Sequence, residues 1–390
     1  MKAVGHKNHH SNFTETLIHI KNAVVTFSKK NVVMLIACLC AIVTCFFVPP
    51  DAKYIEYFDL KTLSCLFLVL AVVCALKNIR FFFTIARKIV EIFKNTRLCI
   101  LALLYITFIG SMLIANDMAL LTFLPLGYLA LKETGKEKYM AYTFIMQNIS
   151  ANLGGMLTPF GNPQNLYLYS KFAIDNLEFM GIMLPPFVLS VALITLCTLV
   201  FVKKEEIKIE GDRVSLPPVK TIIYLLLFAL SIVIVFRGVP YQIGLVIIPI
   251  VLLFMDRRAL LKVDYPLLLT FAFFFIFSGN MARIDAVRLL FENFLQLDTM
   301  IATAISCQFI SNVPSAILLS QFTTDYQGLL LGVNIGGVGT LISSLASLIT
   351  LREYASHNPQ GVKRYIVKFS IFNFSFLLIL IGFMCLLRLF

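Results

Sequence analysis

Histidine is scarce in this chain and absent from its apolar stretches. His6, His9, His10 and His19 fall in the N-terminal segment and His357 in a charged loop. An intramembrane Ser/His dyad, a histidine zinc site or a bis-His haem therefore has no residues to be built from. Cysteine offers no framework either. Cys38, Cys40, Cys45, Cys65, Cys74, Cys99, Cys197, Cys307 and Cys385 all lie inside apolar runs, without loop pairing or metal-ligand spacing, and read as packing residues. Charge is thin at 14%, and Asp117 is the one acidic residue deep in an apolar segment. An aspartyl dyad needs two facing carboxylates, so that class is excluded too.

What remains is hydrophobic: 59% of residues are apolar and the mean hydropathy is +0.87, which rules out an ordinary soluble protein of two or three domains. The net charge of +12 raises the possibility of a nucleic-acid partner. The basic residues, however, are spread over short loops, as membrane orientation requires, and no nucleic acid is expected. The polar start is followed by no small-residue cleavage site, so a removed signal peptide is not expected.

The apolar pattern is interrupted most sharply at residues 147–166, QNISANLGGMLTPFGNPQNL. Gly154, Gly155, Pro159, Gly161 and Pro163 each oppose a regular helix. Asn148, Asn152, Thr158, Asn162, Gln164 and Asn165 bring donors and acceptors into the gap. Polar, non-helical backbone at membrane depth is tolerated only where protein buries it or a watery cavity meets it, so the run is a candidate ligand site. A second copy exists. Residues 334–348, NIGGVGTLISSLASL, lie on 152–166 without a gap, matching Asn152 to Asn334, Gly154 and Gly155 to Gly336 and Gly337, and Thr158 to Thr340. Ahead of each, ANDMALL at 115–121 resembles SNVPSAI at 311–317, matching Asn116 to Asn312. Corresponding polar breaks in two halves point to a transporter built from structural repeats.

Taken in order, residues 14–30 suit a surface-lying helix, and spans are expected at 31–48 and 63–79. Residues 80–97 have the alternation of an interfacial helix. A polar-tipped helical pair follows at 98–131, then a broken helix at about 139–169 and a span at 179–201. The charged stretch 203–220 separates the halves. Spans at 221–236, 240–255 and 266–282, an interfacial helix at 283–298, a second tipped pair at about 299–322, a second broken helix at 328–351 and a span at 365–387 complete the chain. The expected fold is an all-α polytopic membrane protein with about 10–11 membrane segments. Its organisation is an N-terminal segment 1–30, a first repeat 31–202, a cytoplasmic linker 203–220 and a second repeat 221–390. Threading with the N-terminus in the cytoplasm puts most of the 33 Lys and Arg inside and gives the repeats inverted topology, each with a re-entrant hairpin. The C-terminus then lies outside.

An intramembrane carboxylate is costly enough to make Asp117 a functional candidate that binds a cation or carries a proton. The competing reading is a solvated loop between two crossing helices. Broken helices offer amide groups and positive dipole ends to an anion, while freed carbonyls and Asn, Ser and Thr oxygens suit sodium. No Lys or Arg falls within 115–117, 148–165, 311–315 or 334–347, so an anion would depend on amides, hydroxyls and a co-bound cation. The glycines alone could be explained by close helix packing; the prolines and asparagines around Gly161 argue for more. Asn78 and Asn280 read as caps, and Gln147 and Gln308 as supporting residues. A membrane scaffold without transport would leave the repeated polar breaks unexplained.

Over about 31–387 these features resemble the ion transporter superfamily, which groups divalent anion/sodium symporters, citrate–metal symporters, arsenite efflux permeases and a sodium/proton antiporter family. The dicarboxylate symporters carry Ser-Asn-Thr at each hairpin tip; here the tips read Ala115-Asn116-Asp117 and Ser311-Asn312-Val313-Pro314. The Asn-Asp tip and the run Gly161-Asn162-Pro163-Gln164-Asn165 are more similar to the arsenite permease side, and Asp117 favours a cation, proton or neutral group nearby. The resemblance implies a hairpin-containing transport domain moving against a dimerising scaffold in a homodimer.

The resulting expectation is a secondary transporter of the cytoplasmic (inner) membrane for a small carboxylate or inorganic anion, driven by Na+ or H+ and needing no other cofactor or transition metal. Asn116, Asp117, Asn152, Gly155 and Thr158 would form one cation half-site; Ser311, Asn312, Asn334, Gly337 and Thr340 the other. Asn162, Asn165, Ser343 and Ser344 would line the substrate cavity, with Asn116, Asn312, Ser311, Thr158 and Thr340 also facing substrate. A cation/proton antiporter or arsenite-type permease using Asp117 is the alternative.

Overall fold

The computed structural model describes residues 31–207 and 215–389. The expected surface helix at 14–30 and residues 208–214 of the linker lie outside the described residues. Apart from one isolated bridge between Asn95 and Glu206, the described residues are helix and connecting loop. In chain order, α1 (Val32–Phe47) is followed by α2 (Leu60–Asn78), α3 (Phe81–Glu91), α4 (Thr96–Ile114), α5 (Asn116–Glu133), α6 (Met140–Gly154), α7 (Pro163–Lys171) and α8 (Asn176–Phe201). After the linker come α9 (Pro218–Val235), α10 (Tyr241–Met255), α11 (Arg257–Leu261), α12 (Tyr265–Ala282), α13 (Asp285–Leu297), α14 (Thr299–Ile310), α15 (Asn312–Leu319), α16 (Tyr326–Ile335), α17 (Leu345–His357) and α18 (Val362–Leu387).

The chain is an all-α polytopic membrane protein. Among the described residues, α2, α4, α8, α9, α12 and α18 with its preceding turn are long and apolar enough to cross a bilayer, and α1, α10 and α14 are shorter apolar helices. The broken helices supply shorter pieces, because the first is cut where glycine and proline, and the second where glycine and serine, replace helix formers.

Capping chemistry sets the boundaries. The amphipathic stretch expected at 80–97 ends as helix at Glu91, because Asn95 accepts the Leu98 N–H and starts α4. Likewise Asp298, expected at the end of an interfacial helix, accepts the Ile301 N–H and caps α14. Asp325 caps α16 through Gly328 N–H, and Ser344 caps α17 through Ala346 N–H.

The described residues fall into two compact units, one within Met1–Phe58 and Asp264–Met281, the other within Asp59–Val263 and Ala282–Phe390. In the first, Gly279 lies so close to Tyr57 that a Cβ would stand 2.5 Å from the ring. Asn280, read from sequence as a cap, is buried there instead: its amide donates to Tyr54 Oη (2.8 Å) and Thr44 Oγ1 (3.2 Å). It stands in the last turn of α12, and its side chain bonds to other side chains instead of capping the helix.

In the second unit, α4 packs on α5 and α6, as α14 packs on α15 and α16. Gln147 ties the first group together, donating to Thr107 Oγ1 (3.1 Å) and the Phe123 carbonyl (3.0 Å). The start of the linker is latched to this group. Thr96 N–H donates to the Glu205 carbonyl, Ile207 N–H to that of Lys94, and the Glu205 carboxylate pairs with Lys136 and Lys138.

Those two ammonium groups hold the Glu205 carboxyl down from 4.5 to about 2. A carboxylate depressed in the folded state stabilises it above the unfolded value and loses that effect as pH falls from about 4.5 through about 2. Glu205→Gln should therefore lower the melting temperature modestly at pH 7, with the difference from wild type shrinking at pH 3 and in high salt. Equal differences at both pH values would remove the ion pairs from the latch.

Candidate functional site

At the first tip α4 gives way to α5 through Ala115, at φ 66° and ψ 153°. The second tip repeats this with Ser311, at φ 73° and ψ 161°. Few residues except glycine adopt this region, and each such residue costs about 1–3 kcal/mol. Both following asparagines turn their side-chain oxygen back onto the next amide. Asn116 Oδ1 accepts from Asp117 N–H at 3.0 Å, and Asn312 Oδ1 from Val313 N–H at 2.9 Å. Each closure satisfies a first-turn donor that a helix leaves open.

The broken helices are held by matching devices. Thr158 donates its hydroxyl to the Met112 carbonyl and Thr340 to that of Gln308, both at 2.9 Å, and each acceptor lies four residues before a tip asparagine. In the first break Asn165 Nδ2 lies 3.2, 3.3 and 3.4 Å from the carbonyls of Gly155, Met156 and Thr158. In the second, Gln308 Nε2 meets the Gly336 (2.9 Å) and Val338 (3.3 Å) carbonyls while its Oε1 accepts from Thr340 N–H (2.8 Å). Gly339, at φ 131°, must be glycine both for its backbone and because a Cβ would collide with that glutamine amide.

Side-chain contacts then cross between the halves of the chain. Asn152 Oδ1 accepts from Asn116 Nδ2 (3.1 Å) and from Ser344 Oγ (2.8 Å). Asn334 Nδ2 donates to Asn165 Oδ1 (2.7 Å), and Asn162 Nδ2 reaches Asn334 Oδ1 at 3.4 Å. In the gapless match Asn152 corresponds to Asn334 and Ser344 to Asn162, so one cross-half contact is made twice. Beside it, Asn148 Nδ2 lies 3.3 Å from Ser347 Oγ and 3.4 Å from Asn373 Oδ1.

The expected residues thus occupy one polar network in the second unit. Asn116, Asn152, Asn162, Asn165, Asn312, Asn334, Ser343 and Ser344 are buried, and Asp117, Thr158, Ser311 and Thr340 are partly exposed. Ser343 Oγ stands 2.9 and 2.8 Å from the Gly337 and Thr340 carbonyls, and its own carbonyl accepts the Asn312 N–H (2.9 Å). Gly337 leaves room for the Asn312 amide, and a Cβ on Gly155 would stand 2.5 Å from Asn162 Oδ1. Among the described residues, Asn162 Oδ1 and Gln164 Oε1 are buried acceptors without a donor.

Sequence reasoning counted Asn148 among the polar residues of the first break without giving it a site role, gave no weight to Ser347 and Asn373, and placed Gln308 only in support. A lone asparagine inside the apolar run 365–387 was the available signal for Asn373. Helix N-termini at Asn116, Asn162, Asn312 and Ser344 bring amide donors and positive dipole ends into a network that contains no Lys or Arg. Such an array can hold an anion through amides and a small cation through Asn, Ser and carbonyl oxygens.

Residues 23–328 match the citrate transporter family. A protein of Methanocaldococcus jannaschii described as an uncharacterized transporter is 34% identical over 325 residues, 83% of this chain and 88% of that protein. The inner membrane protein YbiR of Escherichia coli is 31% identical over 319 residues, 79% of this chain and 83% of its own length.

Two glycine substitutions test the packing of the first break. A Cβ at Gly161 would run into the Gly155 carbonyl oxygen, whereas one at Gly181 on α8 meets nothing within 4 Å. Gly161→Ala should destabilise the protein by about 1–3 kcal/mol through overpacking. Gly181→Ala should leave the melting temperature unchanged or slightly raised. Equal behaviour of the two variants in thermal unfolding would contradict the close approach at Gly161.

Proposed function

Because the chain belongs to the citrate transporter family and is a membrane transport protein, we propose that it is a secondary active transporter. Its cargo is a small anion, a carboxylate or inorganic oxyanion, moved together with Na+ or H+. The observation that carries this reading is the twice-made contact between Asn152 and Ser344 and between Asn334 and Asn162, which joins the two breaks into one uncharged polar centre. Anions would be held by helix N-termini and hydroxyls, with a co-bound cation supplying the missing positive charge. The matching tips and breaks support a pair of inverted repeats, and the family resemblance supports a homodimer in which the hairpins move with their cargo.

A second reading rests on an asymmetry. The first tip carries Asp117 where the second has Val313. A carboxylate at that place favours a cation/proton antiporter or an arsenite-type efflux permease, in which Asp117 would exchange its counter-ion for a proton.

Thermal unfolding of the detergent-purified protein separates the two. A ligand that binds the folded state at a hundred times its Kd adds about 2.7 kcal/mol of stability. Under the symport reading a carboxylate or oxyanion raises the melting temperature in Na+ or at low pH and less in K+ at neutral pH. Stabilisation by Na+, Li+ or pH alone, with no anion active, would favour the antiporter. In proteoliposomes Asp117→Asn should abolish or uncouple gradient-driven transport while the protein still unfolds cooperatively; unchanged coupled transport would remove Asp117 from the mechanism.

A further inference from the structure

A second polar concavity lies away from the broken helices, where α2, α9, α10 and α11 come together in the second unit. The apolar helices α2 and α10 end there, at Asn78 and Met255, and α9 begins there, so the recess sits where hydrocarbon gives way to lipid headgroups. Its volume is about 540 Å³, and its polar lining is Asn78, Lys220, Asp256, Arg257, Arg258 and Lys262. Four of those six are cationic. The one acid is engaged by its own surroundings: Asp256 Oδ2 accepts from Asn78 Nδ2 (2.8 Å), and Oδ1 from Ala259 N–H (3.3 Å) at the start of α11. Lys262 Nζ donates to Asn78 Oδ1 at 3.1 Å, which ties one of the four cations to that polar pair, and Arg257 Nε donates to the Leu253 carbonyl at 3.0 Å.

Apolar side chains flank the recess and face outward. Phe254 in its wall is 79% exposed, and Leu261 (79%), Val219 (65%) and Ile222 (59%) stand on the same helices. A soluble oxyanion would need the cations alone. Cations at headgroup depth next to exposed apolar side chains on membrane helices are the chemistry of a phospholipid with an anionic head. We propose that this recess binds the phosphate headgroup of an anionic phospholipid whose acyl chains lie along α9 and α10. This site is separate from the transport centre, and no residue is shared between them.

The test is native mass spectrometry of the delipidated full-length protein, titrated with phosphatidylglycerol or with phosphatidylcholine of the same chains. The expected result is retention of phosphatidylglycerol at least several-fold above phosphatidylcholine. That preference should fall several-fold in Arg257→Gln/Arg258→Gln and in Lys220→Gln, while Lys204→Gln, an exposed lysine outside the recess, keeps it. The variants are exposed, and a melting curve equal to wild type certifies each fold. Equal retention of the two lipids, or a preference that survives in both recess variants, would overturn the proposal. Inorganic phosphate at millimolar concentration displacing phosphatidylglycerol completely would overturn it in favour of a soluble-anion site.

Discussion

Backbone amides and carbonyls freed inside an apolar medium must find partners within the protein, since lipid offers none. The polar network of the second unit follows from breaking two helices under that constraint. Leaving a buried acceptor open costs about 1–3 kcal/mol, so a loop of several residues at membrane depth would be unaffordable without dedicated donors. The first break recruits Asn165 and Thr158, while the second recruits Gln308, Thr340 and Ser343. The solutions use different side chains at some positions, yet they serve the same carbonyls. What corresponds between the two halves is the demand, and the residues follow from it.

The strain at the tips belongs to the same account. Ala115 and Ser311 adopt a backbone region suited to glycine, and the surrounding bonds over-determine it: the asparagine closure on one side and the threonine bond to the preceding turn on the other. Strain that recurs at both tips is hard to assign to chance packing. It holds Asn116 and Asn312 with their oxygens turned toward the following amides and leaves the Asn116 amide nitrogen for Asn152.

Much of this was legible in the chain because the breaks are written in residues that oppose helices. Gly154, Gly155, Pro159, Gly161 and Pro163 mark one break, and the gapless match carries it to the other. The tips were visible as asparagines in apolar surroundings. Helix ends were less so: Asn95 and Asp298 start new helices, and their capping role shows only once the next helix is placed. Least visible were the partners of Asn148 and Asn280, because contacts such as Asn148 to Asn373 or Asn280 to Thr44 link positions far apart in sequence. Local pattern specifies where polarity must be satisfied and leaves open which distant side chain does it.

The difference between Asp117 and Val313 bears on where a cation would sit in the proposed symport. Asp117 lies in the first turn of α5, at the amide end of that helix. A monovalent cation beside it makes a neutral pair, which is far cheaper to carry through a low-dielectric region than either charge alone. The second tip, with Val313, has no side-chain charge of its own, so the positive dipole ends at the starts of α15 and α17 would meet an anion without a competing carboxylate. An anion and a cation would then be bound at opposite ends of one hydrogen-bonded network, joined through Asn152 and Ser344. Coupling requires that each ion lower the cost of binding the other, and a centre that is neutral only when both are present meets that requirement.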